Sequence, residues 1–218
     1  DIAGRIGRAF CALMQPRNVV VGEDIRLSSP LLADALANGL AEGGADVLRI
    51  GQCGTEEVYF ATTHLKAGGG IMVTASHNPA DWNGMKLVRE GSRPVSGDSG
   101  LDEIRQIAET GRFSEPARRG SISRVEPFGA YLQHLLGYLD LSALRPLKVV
   151  VNAGNGGAGH VIDGLERSLP FSFIKLHHEP DGHFPHGVPN PLLPDSRRVT
   201  SEAVVAAGAD FGVAWDDD

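Results

Sequence analysis

Cysteine is scarce: Cys11 and Cys53 are the two thiols in 218 residues, and neither stands in a C-x-x-C pair. That leaves no basis for a disulfide framework or a cysteine-ligated zinc site, and it fits a reducing, cytoplasmic setting. Long apolar runs are also missing. Nothing approaches the roughly 18 consecutive apolar residues of a membrane span, so no membrane partner is expected. The first residues, Asp1-Ile2-Ala3-Gly4, hold neither an initiator methionine nor a secretory signal pattern, which reads as an incomplete N-terminus. Basic residues are outnumbered, 20 Lys and Arg against 27 Asp and Glu, for a net charge of −7. A nucleic acid is therefore not the expected main partner, because phosphate backbones are met by basic surfaces.

Glycine is abundant: 28 of 218 residues, against a usual share of about 7%. Proline, at 13, is ordinary, so the excess does not signal disorder. It points to places where backbone turns tightly or closely approaches a ligand. Apolar periodicity gives the elements. Residues 4–14 set Ile6, Phe10, Leu13 and Met14 on one helical face. Val19-Val20-Val21-Gly22 is a buried-strand pattern, and Ser29 and Pro30 open a helix that Gly43-Gly44 stop. Strands follow at 47–50 and 71–73, and a short helix at 101–110. The pattern loosens over 91–125, and a domain boundary is placed near 120. Beyond it come helix 126–138, strand 148–151, helix 157–168, strand 171–176, helix 197–207 and strand 211–215. This alternation predicts two mixed, mostly parallel α/β domains, 1–120 and 121–218.

Two segments carry chemistry. In KVVVNAGNGGAG, Gly154, Gly156 and Gly159 fit G-x-G-x-x-G between a strand and a helix, and Glu179 follows twenty residues after Gly159. That is the layout of a dinucleotide site, and an NAD-dependent oxidoreductase is carried as an alternative; the other reading is a glycine-rich turn with no nucleotide. The second segment, GGIMVTASHNPADWNGMKLV, ends a strand at Val73 and opens a polar loop with Ser76, His77 and Asn78, then Lys86. Loops at the carboxyl ends of parallel strands are where ligands bind. Adjacent Ser and His make a poor hydrolytic pair, since a nucleophile and base must meet by a hydrogen bond, and no G-x-S-x-G elbow occurs. Ser-His-Asn by itself fits a turn closed by side-chain hydrogen bonds before a proline.

The whole string TASHNP followed by NGMK resembles the phosphoserine loop of the α-D-phosphohexomutases, the phosphomannomutase/phosphoglucomutase family. Gly22-Glu23-Asp24-Ile25-Arg26-Leu27-Ser28-Ser29, Pro180-Asp181-Gly182-His183-Phe184-Pro185 and GADFGVAWD resemble other segments of the same family. GTEEVYF and VPNPLLP look most like its bacterial phosphomannomutase members, which supply GDP-mannose pathways. The resemblance covers the whole chain but about the first half of a typical member. It implies the family's two α/β sandwich domains and a mutase that interconverts hexose 6-phosphate and hexose 1-phosphate, of mannose or glucose. The route runs through a phosphorylated Ser76 and a hexose 1,6-bisphosphate. It also implies Lys86 as general acid/base, Arg26 as a further cation for phosphoryl transfer, and His77 and Asn78 as residues that position phosphate and sugar oxygens.

The resemblance further implies Mg²⁺, bound by Ser76 with Asp216, Asp217 and Asp218. The family's loop reads Asp-Gly-Asp-x-Asp-Arg, whereas this chain ends Trp215-Asp216-Asp217-Asp218. Successive side chains of an extended segment alternate sides, so the three carboxylates as written do not all face one ion. Because the family's sugar and phosphate loops lie in its later domains, the 218 residues alone are expected to turn over hexose phosphate negligibly; a non-catalytic sugar-phosphate-binding module is the further alternative. His177, His178, His183 and His186 cluster without companion cysteines and read as loop residues rather than a zinc site. Trp82 and Trp215 read as packing residues, and Cys53 as inert.

Overall fold

The computed structural model describes residues 2–216 and 218. The chain forms two compact units. The first holds the residues up to Glu23, then Ser28–Thr74 and Gly84–Pro127. Its elements are α1 (Ile2–Met14), β1 (Asn18–Glu23), α2 (Ser29–Glu42), β2 (Asp46–Gln52), α3 (Thr55–His64), β3 (Gly69–Val73), β4 (Met85–Arg89), β5 (Arg93–Pro94), α4 (Leu101–Thr110) and β6 (Ile122–Arg124). They build a six-stranded sheet in the order β5-β4-β3-β1-β2-β6. Strands β1, β2, β3 and β6 run parallel, and β4 and β5 add antiparallel pairs at one edge.

Central strand β1 is apolar on both faces because helices cover both. Val19 and Val21 join the cluster under α1 and α2, while Val20 joins Val58 and Met72 on the opposite face with α3. The α1–α2 seam is built from small residues. A Cβ added at Gly39 would meet the Gly4 carbonyl at 2.0 Å, so these backbones pack closer than any side chain permits. Of the four residues set on one face of α1, Phe10 is buried and Ile6 and Met14 pack against the core, whereas Leu13 is 37% exposed; Ala3, Gly4, Gly7, Ala9 and Cys11 are buried as well. The cap of α2 falls on Ser28 rather than Ser29, which puts Pro30 inside the first turn. Helix α3 and strand β4 were not foreseen. At the start of the helix the Gly54 amide donates to Glu57 Oε1 at 2.9 Å, one half of a capping box, since glycine has no side chain to return the bond.

The second unit holds Asp24–Leu27, Ala75–Asn83 and Phe128–Asp218. Its elements are α5 (Phe128–Leu136), β7 (Leu147–Asn152), α6 (Ala158–Glu166), β8 (Phe171–Leu176), α7 (Pro194–Ala207) and β9 (Phe211–Ala214). The sheet is parallel, in the order β8-β7-β9. Val149, Val151 and Ile162 form its core, with Phe171, Phe173, Val213 and Trp215 packed against them. The chain leaves β7 to one side for β8 and returns on the other for β9, so the connection reverses beside β7. Among the described residues no helix is long and apolar enough to cross a membrane.

Candidate active site

Ile71, Met72 and Val73 of β3 are fully buried and deliver the chain to Thr74, whose amide donates to the Gly84 carbonyl at 3.0 Å. The following segment, Ala75–Asn83, belongs to the second unit. It is a tight turn: the Asn78 amide and Nδ2 both donate to the Ala75 carbonyl, at 3.1 and 2.8 Å. Ser76 stands in this turn with φ of +52°, the left-handed region that a side chain with a Cβ seldom occupies. Backbone held there persists only when its surroundings over-determine it, and such positions cluster at functional sites.

Arg26 is what over-determines it. Its side chain is completely buried, as is that of Asp24, whose Oδ2 lies 3.2 Å from Arg26 Nε. Nη1 donates to the carbonyls of Pro79 at 2.7 Å and Trp82 at 3.1 Å. Nη2 donates to Asn78 O at 2.9 Å and also to Ser76 O. The planar, multiply donating guanidinium gathers four loop carbonyls at once, which a lysine could not do. Phe184 closes over it, with the guanidinium carbon 5.3 Å from the ring centre. Beside it, a Cβ at Gly182 would meet the Ile25 carbonyl at 2.3 Å. Asp24, Gly182 and Phe184 thus support the loop, and none was singled out for a role in the sequence. The D-x-R spacing around Arg26 was the available signal.

The Ser76 hydroxyl reaches two carboxylates, Asp216 Oδ2 at 3.2 Å and Asp218 Oδ1 at 2.9 Å. His77 Nδ1 is 3.0 Å from the same Asp216 oxygen. Asp216 and Asp218 both reach the one hydroxyl. Asp217, also expected as a ligand, lies outside the described residues. A hydroxyl and two carboxylates form an all-oxygen donor set, which suits a hard divalent cation such as Mg²⁺ rather than a soft one. Among the described residues no group of three or more His, Cys, Asp and Glu side chains is placed to hold a metal ion without other donors. Lys86 lies in the first unit on β4, where its Nζ donates to Thr55 Oγ1 at 3.3 Å.

The glycine loop after β7 is filled by its own chain. A Cβ at Gly159 would meet the His178 carbonyl at 2.4 Å, and one at Gly154 would meet Pro189 Cβ at the same distance. Asn155 Nδ2 donates to the Glu179 carbonyl at 2.8 Å, and Asn155 Oδ1 pairs with His186 Nδ1 at 2.9 Å. The glycines therefore admit neighbouring protein, and the dinucleotide alternative is not favoured. The histidines disperse: His178 Nε2 is 2.9 Å from Asp163, His183 Nδ1 is 2.9 Å from Asp181, and the rings of His177 and His186 stack. Trp215 packs on its sheet as expected, but Trp82 stands 60% exposed at the loop and does not pack.

Fold and site together define an α/β protein whose polar loops hold a strained serine between carboxylates. Residues 1–115 match the family model described as phosphoglucomutase/phosphomannomutase alpha/beta/alpha domain I, and residues 129–218 match domain II of the same description. The chain belongs to the phosphoglucomutase/phosphomannomutase family. All of it aligns at 55% identity with a phosphomannomutase of Escherichia coli, covering 50% of that protein. At 57% identity it aligns with a protein named phosphohexose mutases from Xanthomonas campestris pv. campestris, covering 49% of it. A crystal structure of a phosphoglucomutase/phosphomannomutase family protein from Burkholderia thailandensis superposes with a TM-score of 0.91 at 34% identity, over 100% of this chain and 49% of that one. The chain spans about half the length of the relatives it matches.

Proposed function

We propose that the chain supplies the phosphoryl-carrying serine and the metal-binding carboxylates of a cytoplasmic phosphohexomutase, most simply a phosphomannomutase serving GDP-mannose synthesis. The observation that carries this reading is the convergence of Asp216 Oδ2 and Asp218 Oδ1 on Ser76 Oγ, at 3.2 and 2.9 Å. The phosphorylated Ser76 donates to a hexose phosphate: the Oγ–P bond breaks, a sugar O–P bond forms, and the sugar hydroxyl proton passes to Lys86. The product is the hexose 1,6-bisphosphate. Its other phosphoryl group then returns to Ser76 while Lys86 gives the proton back, which converts the 1-phosphate into the 6-phosphate or the reverse.

Phosphoryl transfer depends on positioning and charge stabilisation more than on covalent chemistry, and the residues divide along those lines. Arg26 holds the Ser76 loop through its carbonyls, and Thr55 orients Lys86. His77, set by Asp216, and Asn78 face phosphate and sugar oxygens. Mg²⁺ held by Ser76, Asp216, Asp217 and Asp218 would neutralise phosphoryl charge. Exposing the chain to glucose 1,6-bisphosphate and weighing the intact protein tests the reading. A single phosphoryl group mapped to Ser76, and missing in Ser76→Ala, is expected. Full mutase activity in a complete enzyme carrying the Ser76→Ala change would overturn it.

A further inference from the structure

At the carboxyl ends of β7 and β9, beside the point where the connection reverses, the second unit contains a cleft of about 270 Å³. Open parallel sheets bind ligands at such a switch point. The mutase reading makes no use of this cleft, and its lining has a definite chemistry. Trp215, Val188 and Pro189 supply apolar walls, and Asp195 and Ser196, from the first turn of α7, supply an acceptor and a hydroxyl.

The stacked imidazoles of His177 and His186 complete it, their centres 3.7 Å apart and their planes 10° from parallel. Burial, and then the facing His186 ring, push the His177 pKa down. Asn155 spends its Nδ2 on the Glu179 carbonyl, so its Oδ1 accepts from His186 Nδ1–H, which fixes that ring against the cleft wall. Among the described residues no lysine or arginine lines the cleft, and Asp195 is its one carboxylate. A phosphate would meet repulsion there. An aromatic wall beside hydroxyl and carboxylate groups suits a neutral ring with an apolar face and hydroxyls at its edge. The volume, near the roughly 300 Å³ lower end of small-molecule sites, matches one such ring.

We propose that this cleft binds an uncharged hexose or similar cyclic polyol, separately from the phosphosugar handled at Ser76. Trp215 immediately precedes Asp216, so its emission is a local probe. In a Trp82→Phe background, the chain is titrated with methyl α-D-mannoside, with mannose 6-phosphate and with inorganic phosphate while Trp215 fluorescence is followed. A saturable change with the methyl glycoside is expected, weaker with the phosphorylated sugar and missing with phosphate. Val199→Phe, which narrows the cleft from the exposed face of α7, should abolish it. Asp195→Asn should weaken it about tenfold, the scale for losing a charge-assisted hydrogen bond. The proposal fails if there is no saturable change, if either variant responds like the parent, or if the phosphorylated sugar binds more tightly. Failure here leaves the Ser76 reading intact, because that rests on phosphoryl mapping.

Discussion

Arg26 illustrates how much one side chain can organise. As a cation in the family's G-x-D-x-R stretch it was expected near the phosphoryl group, but its nitrogens spend themselves on Asp24 and on four carbonyls of the Ser76 loop. Replacing it with methionine keeps the volume and leaves Asp24 as a buried, uncompensated charge. Breaking a buried pair in this way typically costs about 3–5 kcal/mol. We therefore predict that Arg26→Met lowers the denaturation midpoint sharply and also slows phosphorylation of Ser76. Arg26→Lys should recover part of the stability but little of the phosphorylation rate, because a point charge cannot hold four carbonyls. An unchanged midpoint in Arg26→Met would show that the loop holds itself.

Among the elements, β6 is held beside β2 by its backbone ladder and by one half-buried carboxylate. Asp46, at the start of β2, accepts from Arg118 at 2.6 Å and from the Ser121 amide and hydroxyl at 2.9 Å each, and Val47 then pairs with Ile122. The Arg118 hydrogen bond first, then those from Ser121, hold the Asp46 carboxyl far below the usual carboxylate range. A folded-state pKa below the unfolded one stabilises at neutral pH, and the contribution is lost as pH falls from about 4 through the depressed value. Asp46→Asn should therefore flatten the acid limb of the stability curve while changing little above pH 6; equal acid sensitivity in both proteins would refute the link. The Asp46–Arg118–Ser121 pairing spans more than seventy positions, so nothing local announced it. The strands and helices were read from periodicity, which is a local property. Strand β4 was missed because its short apolar run follows a polar loop, and α3 because its signal lies in the Gly54–Glu57 cap rather than in an apolar stripe.

At the level of the whole molecule, relatives about twice as long place this chain as the domain I and domain II portion of their architecture. A coupled assay for conversion of mannose 1-phosphate to mannose 6-phosphate should register negligible steady turnover from these 218 residues alone. Turnover comparable to that of a complete relative would reject that expectation. The proposed phosphorylation of Ser76 is read on this chain by itself, so the two measurements separate carrying a phosphoryl group from completing the reaction.

The residues proposed to bear chemistry could be named from the chain itself, because phosphoryl chemistry needs particular side chains at short spacing: TASHNP, Lys86 and Asp216 stand out without any coordinates. The abundance of glycine was visible too, but not its use. Close approach was expected toward a ligand, whereas Gly39, Gly159 and Gly182 each admit another stretch of this chain's backbone. Folding alone decided that Asp24–Leu27 and Ala75–Asn83 leave the sheet they follow and pack with the second unit. It also decided that Arg26 clamps a loop fifty residues away and that Asp216 and Asp218 meet Ser76 across about 140 positions. Such contacts depend on satisfying buried polar groups wherever the chain brings them together, and no periodicity or spacing in the sequence records that requirement.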